Sequence, residues 1–240
     1  MKRLLALALL ALALPASVAA GTTLNVFAAA SLTQVFPKID KSERYSFAGS
    51  DQLVLQIRQG APADVYAAAS PKYTQLLYLD GLVGKPVTFA RNRLIVIVPK
   101  SNPAGIHSVY DLRRSGVKVV IGDQGVPIGS YTRQLLDTLG IKDAVLHNVV
   151  SQETDVKGIV AKVALGEADA GFVYRTDAKP VSARVEKVFL PVWAQPPVHY
   201  QIAIVSSTPH KIEARAFIRK VLAKRSRMLL RRAGFGLPKR

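Results

Sequence analysis

Five residues in this chain could together hold an anion without any charged partner. Ser31 ends the run Phe27-Ala28-Ala29-Ala30-Ser31, and Ser50 ends Phe47-Ala48-Gly49-Ser50; each follows an apolar run and precedes a helical pattern. Ile128 lies in Val126-Pro127-Ile128-Gly129, and Val156 follows Thr154-Asp155, again at points where a helix should begin. Tyr174 closes the apolar run Gly171–Tyr174. Two hydroxyls, a phenol and backbone N–H groups at helix starts are all neutral donors. Helix N-termini suit anions because their first amides lack internal partners and the helix dipole favours negative charge there. Taken singly, each stretch is better explained as an ordinary cap, packing turn or core tyrosine.

The elements that must position these donors follow from the apolar pattern. Strands are expected over Thr22–Ala29, Tyr45–Phe47, Val65–Ala69, Arg93–Pro99, Val117–Ile121, Val145–Val150, Gly171–Tyr174, Arg184–Phe189 and Tyr200–Val205. Helices are expected over Leu32–Lys41 (with a break at Pro37), Asp51–Gln59, Pro71–Leu79, Val109–Arg114, Ser130–Leu139, Asp155–Leu165, Ile212–Ala223 and around Met228–Leu230. The apolar face of the Ile212 helix is read as Ala216, Phe217, Val221 and Leu222. Strands alternating with helices predict a mostly parallel α/β architecture. In open α/β sheets, ligands bind beyond the carboxyl ends of the strands, which is where all five donors fall.

Composition narrows the setting. Met1-Lys2-Arg3, an apolar run from Leu4 to Leu14 and a small-residue segment to Ala20 read as a cleaved secretory leader, residues 1–20. That run is shorter than the roughly 20 residues a membrane span needs. The chain has no cysteine, hence no disulfide and no thiol for a lipid anchor. A periplasmic location fits. The remaining chain of about 220 residues suits two lobes, expected as 21–90, 91–189 and a return to the first lobe over 190–240. Net charge is +17, and from Lys211 to Arg240 there are eleven basic residues against one acid, Glu213. Export argues against nucleic acid as the partner of this basic segment, and a solvated basic face is the default.

The order of the donor stretches matches a family. FAAASL (27–32), FAGS (47–50), QIRQGAPADVYAAA (56–69), GDQGVPIGSYT (122–132), ETDVKG (153–158) and GEADAGFVYRTDA (166–178) resemble the periplasmic molybdate-binding proteins that serve ABC importers. GAPADV and GEADAG-x-VY mark solute-binding proteins more broadly; their combination with FAAASL and VP-x-G-x-Y is the more specific signal. The resemblance implies a periplasmic-binding-protein fold, with two α/β lobes joined by crossover strands and the ligand in the cleft. It implies that Ser31 and Ser50 donate through hydroxyl and backbone N–H, Ile128 and Val156 through backbone N–H, and Tyr174 through its hydroxyl. The expected cargo is molybdate, and tungstate with it. The expected partners are a membrane permease and its ATPase, with membrane contact only through the permease, no nucleic acid and a monomeric protein. No cofactor and no direct metal ligand are expected, since molybdenum would arrive as an oxyanion.

The chain departs from the family at three points. The segment between Ser31 and Phe47 is short, which predicts a truncated first helix. Asp51 follows Ser50 where a small neutral residue is usual, and is expected to point to solvent from the first turn of its helix. The basic C-terminus is a feature the family does not explain. The alternatives are a binder of another tetrahedral oxyanion, phosphate or sulfate, and, from a different class, a periplasmic hydrolase. Against an enzyme, the chain has no Gly-x-Ser-x-Gly elbow, HExxH or P-loop, and its four histidines are scattered. Against a ferric-ion binder, Tyr174 has no neighbouring tyrosine.

Overall fold

Two apolar runs, Val65–Ala68 and Leu94–Pro99, are buried at every position, as strands covered on both faces should be. Each is an inner strand of a separate sheet. The structure, a computed structural model, describes residues 22–238. The expected leader, 1–20, lies outside the described residues, as do Lys239 and Arg240 of the basic tail.

The described chain begins with β1 (Asn25–Ala29), α1 (Phe36–Ile39), β2 (Arg44–Ala48), α2 (Ser50–Arg58), β3 (Val65–Ala68), α3 (Pro71–Leu79) and β4 (Val87–Asn92). Next come β5 (Leu94–Pro99), β6 (Val119–Gly122), α4 (Pro127–Thr138), α5 (Lys142–His147), β7 (Val149–Glu153), α6 (Val156–Ala164), β8 (Ala170–Tyr174) and β9 (Val185–Phe189). Finally there are β10 (Val198–Ile204), α7 (Lys211–Leu222) and α8 (Lys224–Ala233). The sheets are ordered β2-β1-β3-β10-β4 and β7-β6-β8-β5-β9, each flanked by helices, so the molecule is a two-lobed α/β protein.

In each sheet four strands share a direction and one opposes them. The opposed strand is β10 in the first sheet and β5 in the second. Both are the strands that arrive from the other lobe. The chain changes sheet between Asn92 and Leu94 going out, and between Phe189 and Val198 coming back. A strand that enters from the gap between the lobes must run against strands that end at that gap. This inversion places the carboxyl ends of both parallel sets opposite each other.

Period-two patterning explains the first sheet. Val26, Ala28, Val65 and Ala67 join one apolar cluster, while Phe27, Tyr66 and Ala68 join the other on the opposite face. On the first face Phe36 is fully buried, with ring centroids 5.7 Å from Phe89, 6.0 Å from Phe217 and 6.2 Å from Tyr45.

Several elements differ from expectation. Leu32–Lys41 is not one helix: a 3-10 turn at Ala30–Leu32 is followed by the four-residue α1, with Pro37 in its first turn, where its missing N–H is harmless. Val145 belongs to α5 and is fully buried there, so the expected strand begins later, at Val149. Strand β4 has no clean alternation because its pairing with β10 shifts register at Tyr200/Gln201. Helix α4 starts at Pro127, three residues before the expected Ser130, which puts Ile128 in its first turn. In α7, Ala214 rather than Ala216 joins Phe217 and Val221 in the core, because residues three and four apart share a helix face and Ala216, adjacent to Phe217, is turned about 100° away from it.

Phe36→Ala removes the ring at the centre of this aromatic group. It is expected to lower the unfolding free energy by about 3–5 kcal/mol, read from urea denaturation.

Candidate functional site

A small cavity of ≈ 20 Å³ lies between the lobes. From the first lobe it is lined by Ala29, Ala30, Ser31, Ala48, Gly49, Ser50 and Ala69; from the second by Val126, Pro127, Ile128, Asp155, Val156 and Tyr174. All five residues singled out in the sequence therefore meet here, and each follows or ends a different strand of the parallel sets: β1, β2, β6, β7 and β8. The alanines matter by their size, since they let the chain ends approach one another. The lining contains no lysine or arginine.

Three helices start at the cavity. Helices α2 and α4 have Gly49 and Val126 at their N-caps, and neither start receives a side-chain cap. In α6 the Asp155 carboxylate accepts from the N–H groups of Lys157, at 2.6 Å, and Gly158, at 3.3 Å. Its charge is thus engaged by the second and third amides of the helix, and the amide of Val156 is left over. First-turn amides of this kind are an anion's natural partners.

The side chains complete the donor set. Ser50 is buried, and its Oγ accepts from the Ala69 N–H at 3.1 Å, which leaves its own proton to donate. Its carbonyl is held by the Tyr66 hydroxyl at 2.7 Å. Ser31 is buried with its Oγ 2.8 Å from the Tyr200 hydroxyl. Tyr174 is also buried, and its hydroxyl has no hydrogen-bond partner. Burial holds the Tyr174 and Tyr200 phenols well above their ordinary pKa, so both keep their protons at neutral pH. An orphaned buried hydroxyl carries an energetic penalty unless a ligand meets it. At Tyr174 that hydroxyl borders the cavity.

The lobes touch around this point. The Tyr73 hydroxyl of α3 donates to the Gly125 carbonyl of the second lobe. A Cβ on Gly49 would stand 2.5 Å from the Thr154 carbonyl oxygen across the gap, so glycine is needed for this approach. Gly129 is needed within the second lobe, since a Cβ there would lie 2.3 Å from the Gly122 carbonyl oxygen. Tyr200, Asn92 and Ala69 were not singled out in the sequence. Tyr200 reads there only as one more apolar strand residue, and nothing local marks its hydroxyl.

Asp51 corrects one expectation. It does not point to solvent: the residue is half-buried at the seam between the lobes, its Oδ1 is enclosed without a partner, and its Oδ2 is 3.4 Å from the Cβ position of Gly125. It does not line the cavity. Burial raises its pKa, and Asp123 across the seam raises it further. The connection between β6 and α4 brings the Asp123–Gly125 turn against Asp51 in the first turn of α2, and sequence could not show this. Because the folded protein favours the protonated form, ionisation above the ordinary value of 3.8 opposes the closed structure. Asp51→Asn is therefore expected to stabilise the protein at pH 7. The gain should shrink as pH falls toward 3.8, where the native carboxyl also gains its proton; urea unfolding at both ends of that range reads it.

Comparison with known proteins agrees with this architecture. Residues 24–236 match the family model described as bacterial extracellular solute-binding protein. The molybdate-binding protein ModA of Mycobacterium tuberculosis is 38% identical over 239 residues, covering 93% of this chain and 90% of that protein. The molybdate-binding protein ModA of Haemophilus influenzae is 31% identical, covering 95% of each chain. Among solved structures, the periplasmic molybdate-binding protein of Azotobacter vinelandii superposes with a TM-score of 0.79 at 24% identity, covering 90% of this chain and 100% of that one. The chain belongs to the bacterial extracellular solute-binding proteins, and within them to the ModA type.

Proposed function

We propose that this protein captures molybdate, and tungstate with it, and delivers the oxyanion to an ABC importer through a permease driven by an ATPase. The observation that carries the reading is the cavity itself: five neutral donors from both lobes border one small space, and the buried Tyr174 hydroxyl among them has no partner. The names of the ModA relatives supply the cargo.

The chemistry of the donor set supports a fully deprotonated tetrahedral dianion. Hydrogen bonds to an ionised acceptor are the stronger kind, and helix N-termini add a favourable dipole. Hydrogen phosphate carries a proton that needs an acceptor; the one carboxylate in the lining, Asp155, is engaged by the Lys157 and Gly158 amides, so phosphate is disfavoured by an unmatched group. Sulfate is smaller and cannot reach all donors of a fixed ring at once. Tungstate, close to molybdate in size, passes the same test.

Binding and closure are one process in this reading. The anion first meets Ser31 and Ser50 on one lobe; closure about the crossover strands then adds Ile128, Val156 and Tyr174. The closed form presents both lobes to the permease. No bond is made or broken, so the protein is a carrier and not an enzyme. We place it in the periplasm as a monomer, exported by its cleaved leader and meeting the membrane only through the permease. Among the described residues no helix is long and apolar enough to cross a membrane.

Calorimetric titration of the anion-stripped protein with molybdate, tungstate, sulfate and phosphate tests the cargo. One-to-one binding of the first two alone is expected; binding of phosphate or sulfate instead would reassign the cargo. In the same titration Ser31→Ala with Ser50→Ala should weaken molybdate binding by about 2–5 kcal/mol, and unchanged affinity would remove these residues from the site. Closure has its own test in Gly49→Ala. The backbone at Gly49, φ −56° and ψ 139°, suits alanine, and within the first lobe the added methyl meets only the end of the Asp51 side chain, at 2.7 Å, which can turn aside; the Thr154 carbonyl, at 2.5 Å, is met when the lobes close. Affinity is expected to fall by about 1–3 kcal/mol, with the urea midpoint of the anion-free protein little changed.

A further inference from the structure

Behind Ser31 lies a hydrogen-bond chain whose direction can be read from its far end. The Arg93 N–H donates to Asn92 Oδ1 at 2.9 Å, which fixes the orientation of the amide. The Asn92 NH₂ group then donates to Thr176 Oγ1 at 2.9 Å and to the Tyr200 hydroxyl oxygen at 3.3 Å. Thr176 in turn has the Asp177 carboxylate as acceptor, at 3.5 Å, which agrees with its oxygen receiving from Asn92. With its oxygen occupied by a donor, Tyr200 has one proton to give. Its other partner among the described residues is Ser31 Oγ, at 2.8 Å. Ser31 thus accepts from Tyr200, and its own proton is turned away from the phenol, toward the cavity it lines. All three residues are buried, Asn92 to 8%, Ser31 to 5% and Tyr200 to 0% exposure, so water does not scramble the order.

We propose that Asn92 and Tyr200 are positioning residues that fix the Ser31 hydroxyl as a donor toward the bound anion, and so help set the preference for oxyanions that carry no proton. The proposal rests on the oxyanion reading of the cavity. If the chain ran the other way, Ser31 would donate to Tyr200 and turn lone pairs toward the ligand. Lone pairs repel a dianion and welcome the proton of hydrogen phosphate. The direction is imposed by a backbone N–H, which cannot reverse, rather than by a second hydroxyl, which could. Asn92 also ends β4, with Arg93 alone between it and the start of the second sheet at Leu94, and its amide reaches Tyr200 in one lobe and Thr176 in the other. The donor character of Ser31 is therefore anchored at the crossover itself.

Asn92→Asp tests the relay, because a carboxylate accepts where the amide donated. Tyr200 should then give its proton to that carboxylate, and Ser31 should give its own to Tyr200. Molybdate affinity is expected to fall roughly 10- to 100-fold, with the phosphate-to-molybdate affinity ratio shifted toward phosphate. Tyr200→Phe, which frees Ser31 to rotate, should weaken molybdate binding by a smaller factor. In the double variant, Asn92→Asp should add no further loss, since its effect runs through the phenol. A loss from Asn92→Asp that persists undiminished beside Tyr200→Phe would mean simple charge repulsion and would overturn the relay. Should Asn92→Asp fail to fold, Asn92→Leu takes its place in the same four-way comparison, with a smaller loss that Tyr200→Phe must likewise absorb. If the unmodified protein binds no tetrahedral oxyanion, the site reading fails and the relay with it; if it binds and the variants prove additive, the relay alone fails.

Discussion

The unmatched amides at the starts of α2, α4 and α6 are the interaction on which the rest of the structure depends. Two helix starts without a side-chain cap, those of α2 and α4, face one cavity here, and at the third, α6, the Asp155 cap leaves the Val156 amide over. An anion between them satisfies groups that neither lobe can satisfy by itself. The inverted strands β5 and β10 make this geometry available, because they let two parallel sets end at the same gap. Small residues then let the strand ends come close: Ala29, Ala48 and Ala69 at the first sheet, with Gly49 at the seam.

The cavity contains no lysine or arginine in a chain of net charge +17, and the two facts divide the work. Summed positive charge raises the local concentration of any anion and does not discriminate among them. In the proposed reading discrimination belongs to the cavity, where fixed donors reward one radius and one protonation state. The basic C-terminal segment stays outside it. Helices α7 and α8 bury Ala214, Phe217, Val221 and Leu230 and leave most of their lysines and arginines exposed. Lys220 pairs with Asp40 at 2.5 Å and so ties α7 to the end of α1.

The seam between the lobes joins a favourable contact to an unfavourable one. The Tyr73 hydroxyl on the Gly125 carbonyl favours the closed arrangement, whereas Asp51, enclosed beside the Asp123–Gly125 turn, opposes it when ionised.

Local chemistry marked the candidate donors, and their order along the chain, matched to a family, set them apart from ordinary caps and turns. Ser31, Ser50, Ile128, Val156 and Tyr174 each stand where an apolar run meets a helix start or ends, and that pattern is written over a few neighbouring residues. The two-lobed α/β class was legible for the same reason, since strand and helix periodicity are short-range. What lay beyond the sequence depends on contacts between distant segments. Strand β4 shows no alternation because a register shift against β10 sets its burial, and Val145 reads as strand until its helix is seen to bury it. Asp51 and Asp123 stand 72 positions apart and meet only across the closed cleft. Ser31 and Tyr200 are 169 positions apart. Residue type at position 31 determined that a hydroxyl would be offered; only the tertiary structure, by bringing Asn92 and Tyr200 behind it, decided which way its proton points.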